Sequence, residues 1–456
     1  MYKIWLKDIT NKYEYDELIK IFLKPQEYSL FSREEEEAYR EAEGEALEFS
    51  GTEKNAVKQS IYRCLQPITG KTPEWGIHTG VRPVKLVGEL IKTLGSPEAA
   101  EKKLRDFYLF SREKTDLVMK IHELQQQVLQ QSETSQAGVY IGIPFCPTRC
   151  LYCSFTSNQV SDAEIERYLE ALLKEIQYTG RRMKERGIYP ESVYIGGGTP
   201  TTLNPQQLLR LLSTVYSAFD MSRLREFTCE AGRPDTITVE KLKIMYENGV
   251  GRISINPQTM KDETLKLIGR SHSSADVYGA FEMADKVGIP IINADIIAGL
   301  PEESPEDFRN TIDTLLKFDP ENITVHTLAV KRASRLIEQD SDYHYRQAAV
   351  VKEMLGASKE ILRKAGYAPY YLYRQKHMAG ALENVGFSKK GCESIYNIRI
   401  MDEHQTIIAM GAGGISKVYY PEENRLERVP NVSNYDIYIS RLDEMMQRKE
   451  ENIFRR

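Results

Sequence analysis

Long apolar runs are missing from this sequence. Its 456 residues contain no stretch of about 18 uncharged apolar residues, the minimum for a membrane-spanning helix. The first apolar residues give way to charges before they could form the centre of a signal peptide. We therefore expect a soluble, cytoplasmic protein without a membrane span.

Cysteine is scarce, and neither sign of charge dominates. Six cysteines are too few for a disulfide framework in a chain of this length. The 66 acidic and 61 basic residues leave a net charge of −5, so no basic field is available to attract nucleic acid. These features exclude a disulfide-stapled scaffold, and no nucleic-acid partner is expected.

The apolar content, 41% of the residues, is enough to build two or three domains. Residues 1–135 combine a β-prone start with helical segments, including an acidic stretch at 33–49, and are predicted to form an accessory α+β domain. A Gln-, Ser- and Thr-rich segment before Gly138 is interpreted as a linker. The less regular residues 336–456 are predicted to form a smaller C-terminal α+β region.

Residues 136–335 alternate short apolar runs with amphipathic segments, which is typical of βα units and a parallel sheet. Two helices have clear starts, a capping box at Ser161 and Ser304 followed by proline. Six βα units are too few to close an eight-stranded barrel. The pattern therefore predicts an α/β fold, a three-quarter (β/α) barrel of the TIM type. The candidate strands are 139–143, 192–195, 226–231, 252–256, 291–297 and 322–328.

Three cysteines are clustered directly after the first of these strands. Cys146, Cys150 and Cys153 have the spacing C-x3-C-x2-C, so one short loop can turn all three thiolates toward one metal centre. A zinc ion would need a fourth ligand from a distant residue such as Cys229 or Cys392. A four-iron cluster can instead use three protein ligands and leave one iron open for a small molecule. In a third interpretation the three cysteines are buried apolar core residues. The polar residues between them argue against it.

This loop, with Tyr152 before its last cysteine, resembles the signature of the radical S-adenosylmethionine superfamily. The resemblance implies a [4Fe-4S] cluster on the three cysteines, whose open iron binds the amino and carboxylate groups of S-adenosylmethionine. It also implies reductive cleavage to methionine and a 5′-deoxyadenosyl radical that takes hydrogen from a substrate. An electron donor such as flavodoxin or ferredoxin would then be a partner.

Further motifs resemble the oxygen-independent coproporphyrinogen III oxidase branch of that superfamily. They include GGGTP at 196–200, RISINPQ at 252–258 and DIIAGLP at 295–301. By this resemblance the glycines hold the amino group of S-adenosylmethionine, and a tyrosine lies beside its sulfonium. Carboxylate, amide and guanidinium groups on later strands contact its ribose and carboxylate, as their chemistry permits. The implied cofactor-binding residues are Tyr140, Tyr152, Gly196, Gly197, Gly198, Thr199, Glu230, Gln258, Arg270 and Asp295.

Most of these residues fall at or near the carboxyl ends of successive predicted strands. In (β/α) barrels this is the face on which active sites are built. The pattern therefore predicts one site at one rim. No acid–base residue is assigned, because the cofactor would carry the difficult step.

Segments outside the barrel, at 75–85, 382–387 and 410–417, resemble the coproporphyrinogen dehydrogenase subgroup. This implies radical oxidative decarboxylation of two propionates of coproporphyrinogen III, which gives protoporphyrinogen IX in haem biosynthesis. Two positions depart from the oxidase pattern, since Phe155 replaces a cysteine and Gly142 replaces a histidine. The first departure also occurs in the haem chaperone branch. The alternatives are therefore a haem-binding or haem-transfer protein, or another tetrapyrrole-directed radical enzyme such as a methyltransferase.

A substrate with four propionates requires cations near the site. Lys331, Arg332 and Arg335 follow the sixth predicted strand and are candidates, although three basic residues at a helix start can equally be solvated. His326, near the end of that strand, can face the pocket or fill the core.

Overall fold

The computed structural model describes residues 1–129, 135–153, 157–329, 347–375 and 382–455. The chain divides into two units, Met1–Leu124 with Leu372–Lys376, and Gln125–Tyr371 with His377–Arg456. The predicted linker before Gly138 and the predicted boundary at 335 lie partly or wholly outside the described residues. The three-part division at 135 and 335 therefore stays a prediction.

The first unit contains a three-stranded parallel sheet with the order β2-β1-β3. Its strands are β1 (Tyr2–Leu6), β2 (Tyr28–Phe31) and β3 (Glu45–Phe49). Ile4 and Leu6 alternate along β1 and are fully buried against Leu18 and Ile61 from two helices. The helices are Tyr13–Phe22, Glu36–Glu41, Lys54–Thr69, Pro83–Leu94, Pro97–Asp106 and Arg112–Leu129, the last of which continues into the second unit.

The helical prediction for residues 33–49 is wrong at its carboxyl end. The helix stops at Glu41, and β3 begins at Glu45. Gly44 lies between them with φ of +135°, and a Cβ there would come within 2.5 Å of the Met1 carbonyl oxygen. A glycine is therefore required at this turn. Beyond it, the apolar residues recur with the period of two that suits a strand.

The second unit is built on one eleven-stranded sheet with the order β10-β11-β9-β8-β7-β6-β5-β4-β12-β13-β14. Strands β4 to β9 are parallel and adjacent in chain order. They are β4 (Gln136–Ile143), β5 (Tyr189–Gly197), β6 (Glu226–Glu230), β7 (Arg252–Ser254), β8 (Ile291–Ala298) and β9 (Asn322–Thr327). The helices that connect them are Asp162–Glu185, Pro205–Ala218, Val239–Glu247, Asp262–Leu267, Ser274–Val287 and Pro305–Leu316.

Strands from the C-terminal part extend this parallel series at both edges. They are β10 (Ala368–Tyr373), β11 (Asn384–Ser388), β12 (Ile407–Met410), β13 (Ile415–Tyr420) and β14 (Arg425–Pro430). Strand β12 pairs in parallel with β4, and β11 pairs antiparallel with β9. Among the described strands β4 and β9 do not pair with each other, so the series stays open. The predicted partial barrel of six βα units is confirmed.

The helix starts that the sequence predicts are present. Ser161 and Glu164 form a capping box, and Ser304 caps the next predicted helix with Pro305 at its first position. The remaining helices of this unit are Ala348–Lys364, Ile395–Asp402, Tyr435–Ser440 and Leu442–Lys449. In the part of the chain that the structure describes, no helix combines the length and apolar character that crossing a bilayer requires.

Two buried carboxylates connect the C-terminal helices to the barrel. Glu226, at the start of β6, accepts hydrogen bonds from the Ser394 hydroxyl at 2.9 Å and from the Ile395 amide at 2.7 Å. Glu175 lies 2.6 Å from the Lys449 ammonium and is fully buried. The first contact fixes the amino end of helix Ile395–Asp402, as expected for a carboxylate at a helix N-terminus.

Candidate functional site

The cysteine loop leaves the barrel at the carboxyl end of β4. Its two sides are joined where Phe145 forms a β-bridge with Asn158. The Cys146 amide donates to the Asn158 carbonyl at 3.1 Å, and the Asn158 amide donates to Pro144 at 3.0 Å. These bonds close the base of the loop. Residues 154–156, which include Phe155, lie outside the described residues, so the structure does not place this departure from the oxidase pattern.

The three cysteines share this loop and influence one another. A turn places the Cys153 amide 3.2 Å from the Cys150 carbonyl. Burial raises the pKa of Cys146, the neighbouring Cys153 and Cys150 add to the increase, and Thr199 and Arg233 oppose it.

Their spacing does not suit a single metal ion. Tetrahedral zinc with bonds of about 2.3 Å would hold two sulfurs about 3.8 Å apart. Within the described ranges, no three His, Cys, Asp or Glu side chains are close enough together to hold one ion. A four-iron cluster places each thiolate on its own iron and accepts a wider spacing. Three cysteine sulfurs on one loop are the donor set for a four-iron cluster that keeps one iron open for a small molecule.

The Gly196–Gly198 segment at the end of β5 lies directly against this loop. The Gly198 amide donates to the Ile143 carbonyl, and the Thr199 amide donates to the Phe145 carbonyl, both at 2.7 Å. A Cβ on Gly198 would lie 2.5 Å from the Phe145 oxygen and 3.0 Å from the Cys146 sulfur. Only glycine permits this approach, which leaves backbone exposed beside the sulfur.

The two preceding glycines make room for a carboxylate and a tyrosine. A Cβ on Gly196 would lie 2.9 Å from the Glu230 carboxyl and 2.7 Å from the Tyr194 ring. Gly197 has φ of +112°, a conformation that favours glycine. Its Cβ would lie 3.3 Å from the Tyr140 hydroxyl. Glycine here therefore brings side chains of β4, β5 and β6 together.

Glu230 and Asp295 are both carboxylates at strand ends, but their environments differ. Burial raises the pKa of Glu230 to about 7, and the nearby Asp295 contributes to the increase. The Tyr194 hydroxyl donates to Glu230 at 2.5 Å. For Asp295, burial raises the pKa, but His326, Asn293 and other donors outweigh it and hold the pKa below its usual value. Asp295 is therefore ionised at neutral pH, whereas Glu230 is partly protonated.

His326 faces Asp295 from the neighbouring strand. Its Nε2 lies 3.6 Å from a carboxylate oxygen of Asp295. The Asn293 amide donates to the other oxygen at 2.7 Å. Of the two orientations open to His326 in the sequence, the structure shows the one toward this site. Lys331, Arg332 and Arg335 lie outside the described residues.

Gln258 is held in an unusual conformation at this rim. Its φ is +67°, which costs about 1 kcal/mol or more for a residue other than glycine. Its amide donates to the Asp295 carbonyl, and its carbonyl accepts from the Ile297 amide, both at 3.0 Å. Its side-chain Oε1 is buried and has no hydrogen-bond partner among the described residues. A buried acceptor of this kind needs a donor, and a ligand hydroxyl or amine bound at this rim would supply one.

Arg270 links the later strands to the cysteine loop. Its guanidinium donates to the Tyr152 hydroxyl at 3.0 Å and to the Gly232 carbonyl at 3.1 Å. Its Nε is buried without an acceptor in the described part of the chain. An anionic group such as a carboxylate would complete its bonding.

Sequence reasoning missed two tyrosines that contribute to this site. Tyr194 stacks on Tyr396 with ring centroids 4.4 Å apart, and Tyr140 lies 6.3 Å from both. Tyr194 is two residues before Gly196, so strand alternation could have placed it on the same face. Tyr396 belongs to a C-terminal helix, and no local pattern predicts its position.

The arrangement fits the cofactors implied by the resemblance. It offers clustered cysteine sulfurs, a backbone cradle next to one of them, an unsatisfied amide oxygen and an unsatisfied guanidinium nitrogen. Tyr140, Glu230, Gln258 and Asp295 come to one rim from different strands or the loops that follow them. The contacts of individual residues with the cofactor stay predictions.

Comparison with known proteins gives a consistent result. The family model described as "Radical SAM superfamily" matches residues 140–315 of this chain. The chain is 38% identical over 395 residues to the oxygen-independent coproporphyrinogen-III oxidase-like protein HemZ of Bacillus subtilis, which covers 86% of this chain and 79% of that protein. It is 32% identical over 279 residues to the heme chaperone HemW of the same organism, which covers 60% of this chain and 69% of that protein.

A solved structure is similar in fold. Coproporphyrinogen III oxidase (HemN) from Escherichia coli, described as a radical SAM enzyme, superposes with a TM-score of 0.55 and is 21% identical. The similarity covers 71% of this chain and 73% of that one. At this level of identity the comparison supports the α/β fold.

Proposed function

Because the chain belongs to the radical SAM superfamily, and within it to the family of oxygen-independent coproporphyrinogen-III oxidase-like proteins, we propose that it is a coproporphyrinogen dehydrogenase. Its cofactors are a [4Fe-4S] cluster and S-adenosylmethionine. The observation that carries the proposal is the extent of the similarity to HemZ, 86% of this chain, which reaches well beyond the radical SAM core.

The proposed reaction converts two propionates of coproporphyrinogen III into vinyl groups. Each propionate loses one hydrogen atom from the carbon next to the ring and then releases carbon dioxide and one electron. An external acceptor takes that electron, and the product is protoporphyrinogen IX. When bound, the cluster and S-adenosylmethionine supply the radical that removes the hydrogen atom.

In this proposal the chain binds and orients its cofactors. Cys146, Cys150 and Cys153 hold the cluster, and the glycines at 196–198 expose backbone for the amino group of S-adenosylmethionine. Arg270 directs a guanidinium toward the carboxylate. The ionised Asp295 accepts a stronger hydrogen bond from a ribose hydroxyl than a protonated carboxyl would.

The remaining members of the set surround the same ligand. Gln258 offers its unsatisfied oxygen, and Glu230, which is partly protonated near neutral pH, can both donate and accept. Tyr140 and Tyr152 provide aromatic faces, and Thr199 follows the glycine cradle. A tetrapyrrole and a reducing partner such as flavodoxin or ferredoxin complete the proposed assembly.

A haem-binding or haem-transfer protein is the second candidate, favoured by the similarity to HemW and by Phe155, a departure from the oxidase pattern that the haem chaperone branch shares. Gly142 also departs from the oxidase pattern, which has a histidine at this position. A Cβ on Gly142 would make ordinary contacts of 3.5 Å with Met410, Ala412 and Tyr140. Packing around the Cβ position therefore does not force glycine here.

An anaerobic assay separates the two candidates. Reconstituted protein is incubated with coproporphyrinogen III, S-adenosylmethionine, a reductant and an electron acceptor. The dehydrogenase proposal expects two molecules of carbon dioxide and two of methionine for each protoporphyrinogen formed. An Asp295→Asn variant, which keeps the shape but removes the charge, is expected to bind S-adenosylmethionine more weakly. Absence of protoporphyrinogen together with stoichiometric haem uptake would contradict the proposal and support the second candidate.

A further inference from the structure

Arg233 is a buried cation beside the cysteine loop. It follows β6 and precedes a short 3-10 turn, Pro234–Thr236. Only 3% of its surface is exposed. It is not among the residues that the resemblance assigns to the cofactor. A guanidinium is costly to bury, so its surroundings must provide several acceptors.

The surroundings of Arg233 fix the whole guanidinium group. Nη1 donates to the Cys150 sulfur at 3.7 Å and to the Thr148 carbonyl at 3.4 Å. Nη2 donates to the hydroxyls of Thr148 at 2.8 Å and Ser271 at 2.7 Å. Nε lies 3.3 Å from an Asp235 carboxylate oxygen. One edge of the planar group therefore lies against the cysteine loop.

A contact with Asp235 alone would not account for this placement. Asp235 is two residues away in the same turn, and its side chain is 22% exposed, so the pair could form at the surface. Three of the five contacts of Arg233 go instead to Cys150 and Thr148. Thr148 is held in turn, because its hydroxyl donates to the Gly269 carbonyl at 2.9 Å. The geometry is that of a cation oriented toward the Cys150 sulfur.

Such a cation affects electron transfer to a cluster. Reduction adds a negative charge, and a nearby buried positive charge stabilises the reduced state with little screening by solvent or salt. Hydrogen bonds to ligating sulfurs act in the same direction and are a general determinant of cluster potentials. The Asp235 carboxylate opposes this effect because it is the counter-charge of Arg233.

We propose that Arg233 is a positioning residue that fixes the Cys150 side of the cysteine loop and raises the reduction potential of the cluster bound there. The inference rests on the proposed cluster site at the three cysteines and does not depend on which tetrapyrrole is the substrate. Asp235 moderates the effect, so the two residues set the potential in opposite directions.

The test is an EPR-monitored redox titration of the full-length reconstituted protein, without S-adenosylmethionine or substrate. At a fixed solution potential, Arg233→Gln is expected to lower the ratio of reduced to oxidised cluster about tenfold, which equals a shift of 59 mV for a one-electron couple. Arg233→Lys keeps the charge and is expected to recover most of the difference. Asp235→Asn is expected to shift the potential in the opposite direction.

The matched control is Arg399→Gln. Arg399 is also a buried arginine, but it binds Glu191 near the start of β5, about 20 Å along the strand from the glycine cradle. Its loss is expected to reduce stability and to leave the potential unchanged. If Arg233→Gln does not retain iron, the direction in which Asp235→Asn shifts the reduction potential tests the inference. A potential that neither variant changes, or that both change in the same direction, would overturn the inference.

The two proposals fail in different ways. Protein with a cluster of the expected potential but no decarboxylation of coproporphyrinogen III would contradict the proposed reaction alone. A decarboxylase whose cluster potential does not respond to Arg233 would contradict this inference alone.

Discussion

Gly198→Ala adds one methyl group where two chain segments meet at the cysteine loop. The new Cβ would lie 2.5 Å from the Phe145 carbonyl oxygen and 3.0 Å from the Cys146 sulfur. Gly198 is not among the residues with positive φ, so alanine is compatible with its backbone conformation. Any loss of stability or of iron therefore comes from the contact of the new methyl group with Phe145 and Cys146. To relieve that contact, the cysteine loop or the glycine segment must move.

The size of the effect follows from the bonds that this movement disturbs. The Phe145 carbonyl accepts the Thr199 amide at 2.7 Å, and losing such a bond costs about 0.5–1.5 kcal/mol. Inserting a methyl group into a packed region costs about 1–3 kcal/mol. The two costs add to roughly 1.5–4.5 kcal/mol of lost stability at the loop. If the loop must return to its original geometry to ligate iron, cluster retention weakens roughly 10- to 1,600-fold.

Iron per chain and visible absorbance are measured after anaerobic reconstitution, followed by a challenge with an iron chelator. The control is Gly356→Ala in helix Ala348–Lys364, where an added Cβ meets no heavy atom within 4 Å. It is expected to stabilise the helix by up to about 1 kcal/mol and to leave iron retention unchanged. Gly198→Ala protein that keeps its iron as well as the parent would refute the reasoning.

Glu230→Gln should flatten the pH dependence of stability. The pKa of Glu230 is about 7 in the folded protein and 4.5 in the unfolded chain, so between these pH values the native state binds more protons than the unfolded state. The free energy of unfolding of the parent therefore falls by up to about 3 kcal/mol as the pH rises from 4.5 to 7. Urea unfolding of apo-protein at several pH values checks this, and equal slopes in variant and parent would contradict it. Lys449→Met leaves the Glu175 carboxylate buried without its cation and should lower the unfolding free energy by about 3–5 kcal/mol, whereas Lys364→Met at an exposed pair should have no measurable effect. Replacing the three loop cysteines with alanine should remove the iron and the brown chromophore, while replacing the other three should leave iron per chain unchanged.

The parallel series of the barrel could be predicted because its signals are local. Each strand is a short apolar run, and helix starts such as Ser161 and Ser304 carry their own capping residues. The strand at Glu45–Phe49 was missed because five residues with a period of two are hard to separate from the acidic helix before them. The pairing of β12 with β4 joins distant parts of the chain, and no local pattern encodes it.

In the candidate site, too, local features could be predicted from the sequence and long-range contacts could not. The residue types at the strand ends could be predicted, but their interactions could not, since Tyr152 and Arg270 meet across 118 positions of sequence. The different pKa values of Glu230 and Asp295 also have no counterpart in the sequence. Both are buried carboxylates at strand ends, and the difference is that His326, Asn293 and other donors outweigh the effect of burial at Asp295 but not at Glu230. Arg233 was visible in the sequence, but its contact with Cys150 arises from the tertiary fold.

The pairing of β12 with β4 has a consequence for how this protein is made on the ribosome. Ile407 is synthesised about 270 residues after its partner Gly138. At roughly 5–20 residues per second, that edge of β4 waits about 13–54 seconds for its neighbour. Strand β4 is buried along nearly all of its length in the finished fold, so its open edge is a site for aggregation during that interval. The strand that carries the cysteine loop is thus among the last parts of the barrel to be covered.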